Sequence, residues 1–556
     1  MPIPVNGARD GSSNKGALVR TIAEAFVAHA QLQPDALFST FIQGSATTRI
    51  TFGELFARSS AYARAYANLG VKPGDVVIII LKHSPHLFYS FLGAILAGAI
   101  PSFIPFPSPK QRADLYWDDH DRLFARIKPQ ALVTYSENLA AARAHIRNFG
   151  LATIVADDEI LTTSGPDVLH QGKPDDVACL QHSSGTTGLK KGVMLTNRAI
   201  LVHHDAYREA IGFGNEDSIA SWLPLYHDMG FVACFLGSLL QGTHLVLLDP
   251  FEWVMRPRML LDAIAQHRTT LCWLPNFAFS HLVNGVREGD RWDLSSIRAF
   301  INCSEPCKSG TFERFLNRFS ASGVSPEKLQ VCYAMAENVF AVTQTPLSHL
   351  AKALHTDEAQ HELLSCGPPV DGVEIRVLDP TTRERLPAGR IGEICIRGPF
   401  LFNGYYRQPE KTAERLQDGW YTTGDMGLIH EDELYISGRV DDMLIVNGRN
   451  YYAHELEALL AEVDGIIPGR SVAIGVDDDF SGATAVVVLA ECDDLRGARR
   501  VAAAAKSAVL ERTGLALHSF VPIERGGLVK TTSGKLSRTK NKELYLLGRF
   551  KVGTKS

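Results

Sequence analysis

HSSGTTGLKKG, at residues 182–192, holds three Gly, two Ser, two Thr and two Lys within one short segment. A strand-like run at residues 177–181 precedes it, and a helical pattern that Thr196 can cap follows at residues 197–211. Glycine tolerates positive φ and lets backbone N–H groups approach an anion, while hydroxyl and ammonium groups add hydrogen-bond donors and charge. The segment predicts a phosphate-binding loop, with a plain polar loop between strand and helix as the alternative.

The alternation of strand and helix continues outward through about the first four hundred residues. Short β-branched runs precede helical patterns, which is typical of layered α/β architecture. A helix is predicted over residues 86–98. The strand candidates lie at residues 76–81, 131–134, 153–156, 244–248 and 270–274.

The pattern changes after about Asp371, where residues 373–378 and 391–397 predict strands of a small β-rich subdomain. The polar string SGRVDD at residues 437–442 follows, and beyond it strands and helices predict a compact α+β unit of ordinary domain size. We therefore expect an α/β protein with a large N-terminal domain of several subdomains at residues 1–437. We expect a hinge at residues 438–442 to follow this domain, and a small mobile C-terminal α+β domain at residues 443–556 to follow the hinge.

Composition excludes several classes of protein. The 556 residues are 45% apolar and 21% charged, and the net charge of −5 argues against a general nucleic-acid binder. The nine Cys form no CxxC pair, which argues against a zinc ribbon or a disulfide framework. The apolar stretch 92–106 is interrupted by Pro101 and Pro105 and is shorter than the roughly 20 residues of a membrane span, so it predicts a buried helix ending near Ala99. We expect a cytoplasmic enzyme without stable membrane insertion.

The phosphate loop differs from two common nucleotide motifs. No Gly-Lys-Ser/Thr closes it as in a Walker loop, and it lacks the GxGxxG of a Rossmann turn. The HRD and DFG strings of protein kinases are absent from the chain as well. An unrelated ATPase or kinase is therefore not supported.

The loop resembles the Ser/Thr-Gly-rich signature of acyl-adenylate-forming enzymes, which include acyl-CoA synthetases, fatty acyl-AMP ligases and nonribosomal peptide adenylation domains. Further strings typical of that family follow in the same order over nearly the whole chain. They are WLPLYHDMG at 222–230, NCSEP at 302–306, YAMAE at 333–337, IGEICIRGP at 391–399, YTTGDMG at 421–427, GRVDDMLIVNGRNYYAHELE at 438–457 and KTTSGKLSR at 530–538. The resemblance implies ATP-dependent activation of a carboxylic acid to an acyl-AMP with release of pyrophosphate.

The resemblance also implies a nucleotide site. Asp425 would accept hydrogen bonds from the ribose hydroxyls, Arg439 would reach the ribose or phosphate, and Tyr333 would border the adenine. Glu337 would support Mg²⁺ at the phosphates, since Mg²⁺ prefers hard oxygen ligands. The implied ATP-binding and AMP-binding residues are Ser183, Ser184, Gly185, Thr186, Thr187, Gly188, Lys191, Asn302, Ser304, Glu305, Tyr333, Ala334, Met335, Asp425 and Arg439.

Two further roles follow from the resemblance. Lys535 would bridge the attacking carboxylate and the α-phosphate, a task that suits a compact ammonium with three donors. Asp441 would be the hinge residue about which the small domain rotates, so that Lys535 leaves before a thiol enters. The alternatives are a solvated lysine in a basic tail and an ordinary turn.

The substrate side is less specific. His227 resembles the aromatic position beside the reacting carboxylate and is a candidate catalytic residue. Asp228 resembles the acid that binds the amine in amino-acid-activating relatives. YHDMG as a whole is typical of fatty acyl-AMP ligases, where no amine is bound. Apolar side chains including Phe231, Phe277 and Phe279 predict an acyl pocket, with core packing as an equal alternative.

The sequence leaves the acceptor open. The strings closest to fatty acyl-AMP ligases favour transfer to the phosphopantetheine thiol of an acyl carrier protein. The moderately long stretch between Glu337 and Ser365 keeps free CoA as the second acceptor. An amino-acid or aryl-acid adenylating enzyme is a rival interpretation, and so is an inactive relative that only binds. The intact Lys535, Glu337 and Asp425 argue against an inactive relative.

Overall fold

The computed structural model describes residues 19–107, 113–147, 149–183, 191–305, 307–347, 349–355, 362–446, 449–477, 484–530 and 535–550. The helices, in chain order, are α1 Ile22–Leu32, α2 Phe52–Asn68, α3 His86–Leu96, α4 Ala113–Ile127, α5 Ser136–His145, α6 Asn197–Ala210, α7 Gly237–Gln241, α8 Pro250–Met255, α9 Arg258–His267, α10 Asn276–Asn284, α11 Ser309–Phe319, α12 Pro409–Arg415, α13 Ala453–Leu460, α14 Ala498–Thr513 and α15 Arg538–Leu546.

The strands, in chain order, are β1 Leu37–Gln43, β2 Ala46–Thr51, β3 Val76–Ile80, β4 Ile100–Phe103, β5 Ala131–Thr134, β6 Ala152–Val155, β7 Val177–Ser183, β8 Lys191–Thr196, β9 Ser218–Ser221, β10 His244–Leu248, β11 Leu271–Leu274, β12 Ala299–Asn302, β13 Leu329–Ala334, β14 Ala341–Gln344, β15 Ala353–Leu354, β16 Leu363–Leu364, β17 Glu374–Leu378, β18 Gly392–Arg397, β19 Leu416–Gln417, β20 Trp420–His430, β21 Glu433–Arg439, β22 Met443–Val446, β23 Arg449–Tyr452, β24 Ile466–Asp477, β25 Thr484–Cys492 and β26 Ser519–Ile523.

Two largely parallel sheets form the centre of the N-terminal part. The larger has the order β14-β13-β12-β11-β9-β10-β1-β2, and the smaller has the order β4-β3-β5-β6. The strands of the smaller sheet all run parallel, and every residue of β3 is buried. A parallel sheet with continuous apolar strands is covered on both faces by helices, which confirms the predicted α/β class.

A β-rich subdomain follows where the sequence pattern changed. Strands β17, β18, β20 and β19 form one antiparallel sheet, and β21 pairs with β20. The predicted strands at 373–378 and 391–397 correspond to β17 and β18. This sheet ends at Arg439, so the last strand delivers the chain directly to the predicted hinge segment.

The C-terminal part has its own sheet, β24-β25-β26, and its own clusters of buried apolar side chains. A 3₁₀ turn, Val440–Asp442, joins β21 to β22 and contains Asp441. Helices α13, α14 and α15 belong to this part of the chain. None of the described helices is long and apolar enough to cross a membrane.

One strand next to the glycine-rich loop was not predicted. Strand β8 pairs antiparallel with β7, so the loop connects the two strands of a hairpin before Thr196 caps α6. Two lysines and Gly192 weaken the local strand signal. The pairing with β7 supplies the strand, and Gly192 and Met194 form further backbone hydrogen bonds of 2.8 Å and 3.0 Å with the segment at residues 404–406.

The contact between α2 and α3 gives a test of the packing. A Cβ on Gly93 would lie 2.4 Å from the Tyr62 Cβ and 2.7 Å from the Ser59 carbonyl oxygen. We expect Gly93→Ala to lower the free energy of unfolding by about 1–3 kcal/mol, because one helix must move. Gly289→Ala is the control, since no atom lies within 4 Å of a Cβ built there. Chemical denaturation would measure both, and equal stabilities would contradict the close packing.

Candidate active site

The carboxyl ends of parallel strands bring two of the predicted segments together. Asn302 ends β12, Tyr333 and Ala334 end β13, and these strands pair directly. Ser304 follows with φ of 71°, a left-handed conformation that is uncommon for a residue other than glycine. Open α/β sheets bind ligands at this edge, so Asn302, Ser304, Glu305, Tyr333 and Met335 share one candidate nucleotide surface.

Asp425 holds two other residues of the predicted nucleotide site. Its Oδ2 accepts a hydrogen bond of 2.5 Å from the Tyr333 hydroxyl, and its Oδ1 accepts one of 2.8 Å from Arg439 Nε. Burial and the negative charge of Asp425 raise the pKa of Tyr333 well above its usual value, so this hydroxyl remains a donor. The Asp425 carboxylate likewise raises the pKa of Arg439. The three side chains form an ordered, charged cluster.

Glu337 is buried in a 3₁₀ turn, and Tyr405 holds it by a hydrogen bond. The Tyr405 hydroxyl donates to Glu337 Oε1 at 2.8 Å and lies 3.2 Å from the Tyr421 hydroxyl. Lys191 Nζ lies 4.8 Å from the centre of the Tyr405 ring. Burial lowers the pKa of Lys191, and the charge of Glu337 opposes that change. A carboxylate and an ammonium thus lie close together beside the glycine-rich hairpin.

The Glu337 carboxylate offers oxygen ligands that fit Mg²⁺ as this ion binds to nucleotides. One protein carboxylate together with phosphate oxygens is a common ligand set for this ion. The described residues contain no group of three or more His, Cys, Asp or Glu side chains that could hold a metal. A Mg²⁺ ion bound at Glu337 would therefore need phosphate oxygens to complete its coordination.

Lys535 reaches this surface from the C-terminal part of the chain. Its ammonium donates a hydrogen bond of 2.6 Å to the carbonyl oxygen of Ser304. Asp228 is half-buried, and its Oδ1 accepts a hydrogen bond of 2.8 Å from the Met229 N–H. Burial raises the pKa of Asp228; the nearby charge of Lys535 opposes that shift, and Glu337 reinforces it. Asp228, Glu337 and Lys535 are thus electrostatically linked.

His227 lies at the turn that begins a π-helical stretch, Met229–Leu236. Its N–H donates to Pro224 at 3.1 Å, and its carbonyl oxygen accepts from the Phe231 N–H at 2.8 Å. Its ring is half-buried and lies 5.2 Å from the Tyr226 ring. Insertions of this kind into a helix are frequent at functional sites.

The three phenylalanines of the predicted acyl pocket lie in different surroundings. Phe231 is buried among other aromatic rings, with Phe91 at 5.2 Å. Phe279 is fully buried, with Phe315 at 5.0 Å. The contacts of Phe231 and Phe279 are therefore those of core packing, which was the alternative to an acyl pocket. Phe277 is 45% exposed, and its N–H donates to Glu305 Oε2 at 3.0 Å, which places it at the rim of the nucleotide surface.

The two ends of the phosphate loop lie within the described part of the chain. Ser183 ends β7 and Lys191 begins β8. Five predicted phosphate-binding residues lie outside the described part: Ser184, Gly185, Thr186, Thr187 and Gly188. Tyr405 was not singled out in the sequence, because NGYYRQP carries no pattern that links it to a residue 68 positions earlier.

Two cysteines, Cys307 and Cys332, lie beside the nucleotide surface. The nine cysteines of the chain are free thiols, and eight of them are buried. Cys307 Sγ lies 3.5 Å from the Glu305 carbonyl oxygen. Burial raises the pKa of Cys307 and of Cys332 well above the usual range, so both are protonated thiols.

Comparison with known proteins identifies the family of the chain. The family of AMP-binding enzymes matches residues 26–406. The chain therefore belongs to this family and is an adenylate-forming ligase, which confirms the resemblance noted in the sequence.

Two relatives and one solved structure are similar over nearly the whole chain. Long-chain-fatty-acid--AMP ligase FadD26 of Mycobacterium bovis is 28% identical, over 96% of this chain and 98% of the relative. Putative fatty-acid--CoA ligase fadD21 of Mycobacterium leprae is 29% identical, over 94% and 97%. A structure from a study of fatty acyl-adenylate ligases of E. coli and L. pneumophila superimposes with a TM-score of 0.87 at 24% identity, over 95% and 98%. At that identity the likeness establishes the fold.

The Tyr405–Glu337 hydrogen bond can be tested directly. We expect Tyr405→Phe to raise the Mg²⁺ concentration for half-maximal activity by about tenfold, because residues that orient a metal ligand contribute that much to affinity. The Michaelis constant for the acid should stay unchanged. Tyr406→Phe is the matched control, and an unchanged Mg²⁺ titration for both variants would contradict the orienting role.

Proposed function

We propose that this ligase activates a fatty acid with ATP to a fatty acyl-AMP and then transfers the acyl group to a phosphopantetheine thiol. The observation that carries the proposal is the approach of Lys535 to Ser304, within a site that also holds Asp425 and Glu337. Each of these side chains matches a requirement of the reaction. We place the reaction in the cytoplasm, where ATP is available.

The first step requires two anions to meet. The substrate carboxylate forms a bond to the α-phosphorus, and the bond from that phosphorus to the pyrophosphate oxygen breaks. Lys535 would neutralise charge between the carboxylate and the α-phosphate, and Lys191 would do so along the departing pyrophosphate. When bound at Glu337, Mg²⁺ would supply further positive charge to the phosphates. Asp425, with Arg439 and Tyr333 already ordered around it, would hold the ribose.

A fatty acid is the substrate that the surroundings of His227 favour. A small cavity is lined by residues 223–226, which directly precede His227, and its other walls are almost entirely apolar or aromatic. Leu81, Phe103, Ile104, Leu223 and Tyr226 are among the lining residues. Apolar walls of this kind suit an alkyl chain and offer an amine no ion-pair partner. The names of both mycobacterial relatives also refer to fatty acids.

An amino acid is the second candidate, and one observation favours it. Asp228 brings a half-buried carboxylate next to Lys535, where an ammonium could pair with it. Pyrophosphate exchange with fatty acids and amino acids in parallel distinguishes the two. Exchange driven by an amino acid and by no fatty acid would overturn our choice.

Lys535 provides the sharpest test of the first step. We expect Lys535→Ala to slow acyl-AMP formation by about a hundredfold or more, because charge neutralisation at the developing transition state is lost. ATP binding should weaken little, since the remaining residues of the nucleotide site are intact. Radiolabelled pyrophosphate exchange measures the first quantity and equilibrium dialysis the second. Lys542→Ala, on the same basic segment, is the control; normal exchange in Lys535→Ala would refute the assigned role.

The acceptor can be identified by mass spectrometry of the products. We expect a holo acyl carrier protein to gain the acyl group at least tenfold faster than free CoA does at equal concentration. One relative is named an AMP ligase and the other a CoA ligase, so both acceptors must be tested. The apo carrier protein, which lacks the thiol, is the control. Faster transfer to CoA would assign the chain as an acyl-CoA synthetase.

A further inference from the structure

The first turn of α15 is strongly basic, and it follows directly after the loop that carries Lys535. Arg538 begins the helix, and Lys540 and Lys542 follow. Cations are unfavourable at a helix N-terminus, because its exposed N–H groups carry partial positive charge. Arg538 and Lys540 both pair with carboxylates from elsewhere in the chain, which offset this unfavourable charge.

Arg538 finds its carboxylates within the C-terminal part of the chain and at the hinge. Its Nε donates to Glu457 Oε1 at 3.0 Å and its Nη2 to Glu457 Oε2 at 2.8 Å, and its Nη1 pairs with Asp442. Glu457 belongs to α13, and Asp442 ends the 3₁₀ turn after β21. Arg538 thus fastens the start of α15 to the rest of the small domain.

Lys540 finds its carboxylate in the large domain. Its ammonium pairs with Asp119 Oδ2 on α4, which lies 421 positions earlier in the chain. The two side chains are 23% and 24% exposed, so the pair is partly shielded from water. The other oxygen, Asp119 Oδ1, accepts a hydrogen bond of 2.7 Å from Arg122 Nη2. Asp119 therefore keeps one cationic partner even when α15 moves away.

We propose that Asp119 and Lys540 are positioning residues, which hold the small domain in the arrangement where Lys535 meets Ser304. This inference rests on the proposed function, because the arrangement matters through acyl-AMP formation. The pair stabilises only the arrangement in which it exists, and it therefore shifts the population toward that state. Partly exposed ion pairs contribute modestly, so the small domain can still leave for the thiol step.

Charge reversal and exchange of the two residues test the proposal. We expect Asp119→Lys and Lys540→Glu each to slow single-turnover acyl-AMP formation by about tenfold, and the double variant Asp119→Lys/Lys540→Glu to recover to within about threefold of the unmodified enzyme. Lys542→Glu, two residues along the same helix, is the matched control and should change the rate less than twofold. Transfer from synthetic acyl-AMP to the thiol should be unchanged or faster in both single variants.

These outcomes separate positioning from general destabilisation. Equal slowing of both steps, unchanged acyl-AMP formation in the single variants, or failure of the double variant to recover would each overturn the proposal. If the unmodified enzyme forms no acyl-AMP with any acid tested, the proposed function is overturned instead. Amide hydrogen exchange across α4 needs no substrate and tests the Lys540–Asp119 pair in that case as well. We expect faster exchange in Lys540→Glu than in Lys542→Glu. Equal exchange in the two variants would overturn the pairing role.

Discussion

The hydrogen bond from Lys535 to Ser304 joins parts of the chain that lie 231 positions apart, and the position of the Lys535 ammonium at the nucleotide surface depends on it. The two parts have separate sheets and separate cores, so their contact is polar and local. A contact of that kind brings a cation to the nucleotide surface without burying a large apolar area. The same property makes it reversible, which a two-step reaction at one site requires.

The large domain orders its own side chains independently of the small one. Asp425 engages both Tyr333 and Arg439, and Glu337 is held by Tyr405. Buried carboxylates are costly unless they are hydrogen-bonded, so these partners allow the acids to stay at the end of the strands. The site is therefore ordered before its nucleotide arrives, and less reorganisation is needed at reaction.

Much of the fold was predictable because it depends on local pattern. The strands at 131–134 and 244–248 have the bounds expected from their apolar runs. Strand β8 was missed, since Lys191 and Gly192 at its start weaken the apolar run that would predict a strand. Motif order predicted Asp425, Glu337 and Lys535 as site residues, and the structure brings them to neighbouring positions. Contacts such as Lys540 with Asp119 have no local signal, because neither residue's sequence context specifies a partner hundreds of positions away.

The protonated state of the cysteines has a consequence for the product. An acyl-AMP is a mixed anhydride, and a thiolate close to it would attack the acyl carbon and become acylated. Cys307 and Cys332 lie beside the nucleotide surface, but burial keeps their thiols protonated, and the thiol form is a poor nucleophile. Burial therefore disfavours self-acylation at Cys307 and Cys332, which favours a thiol that arrives from outside.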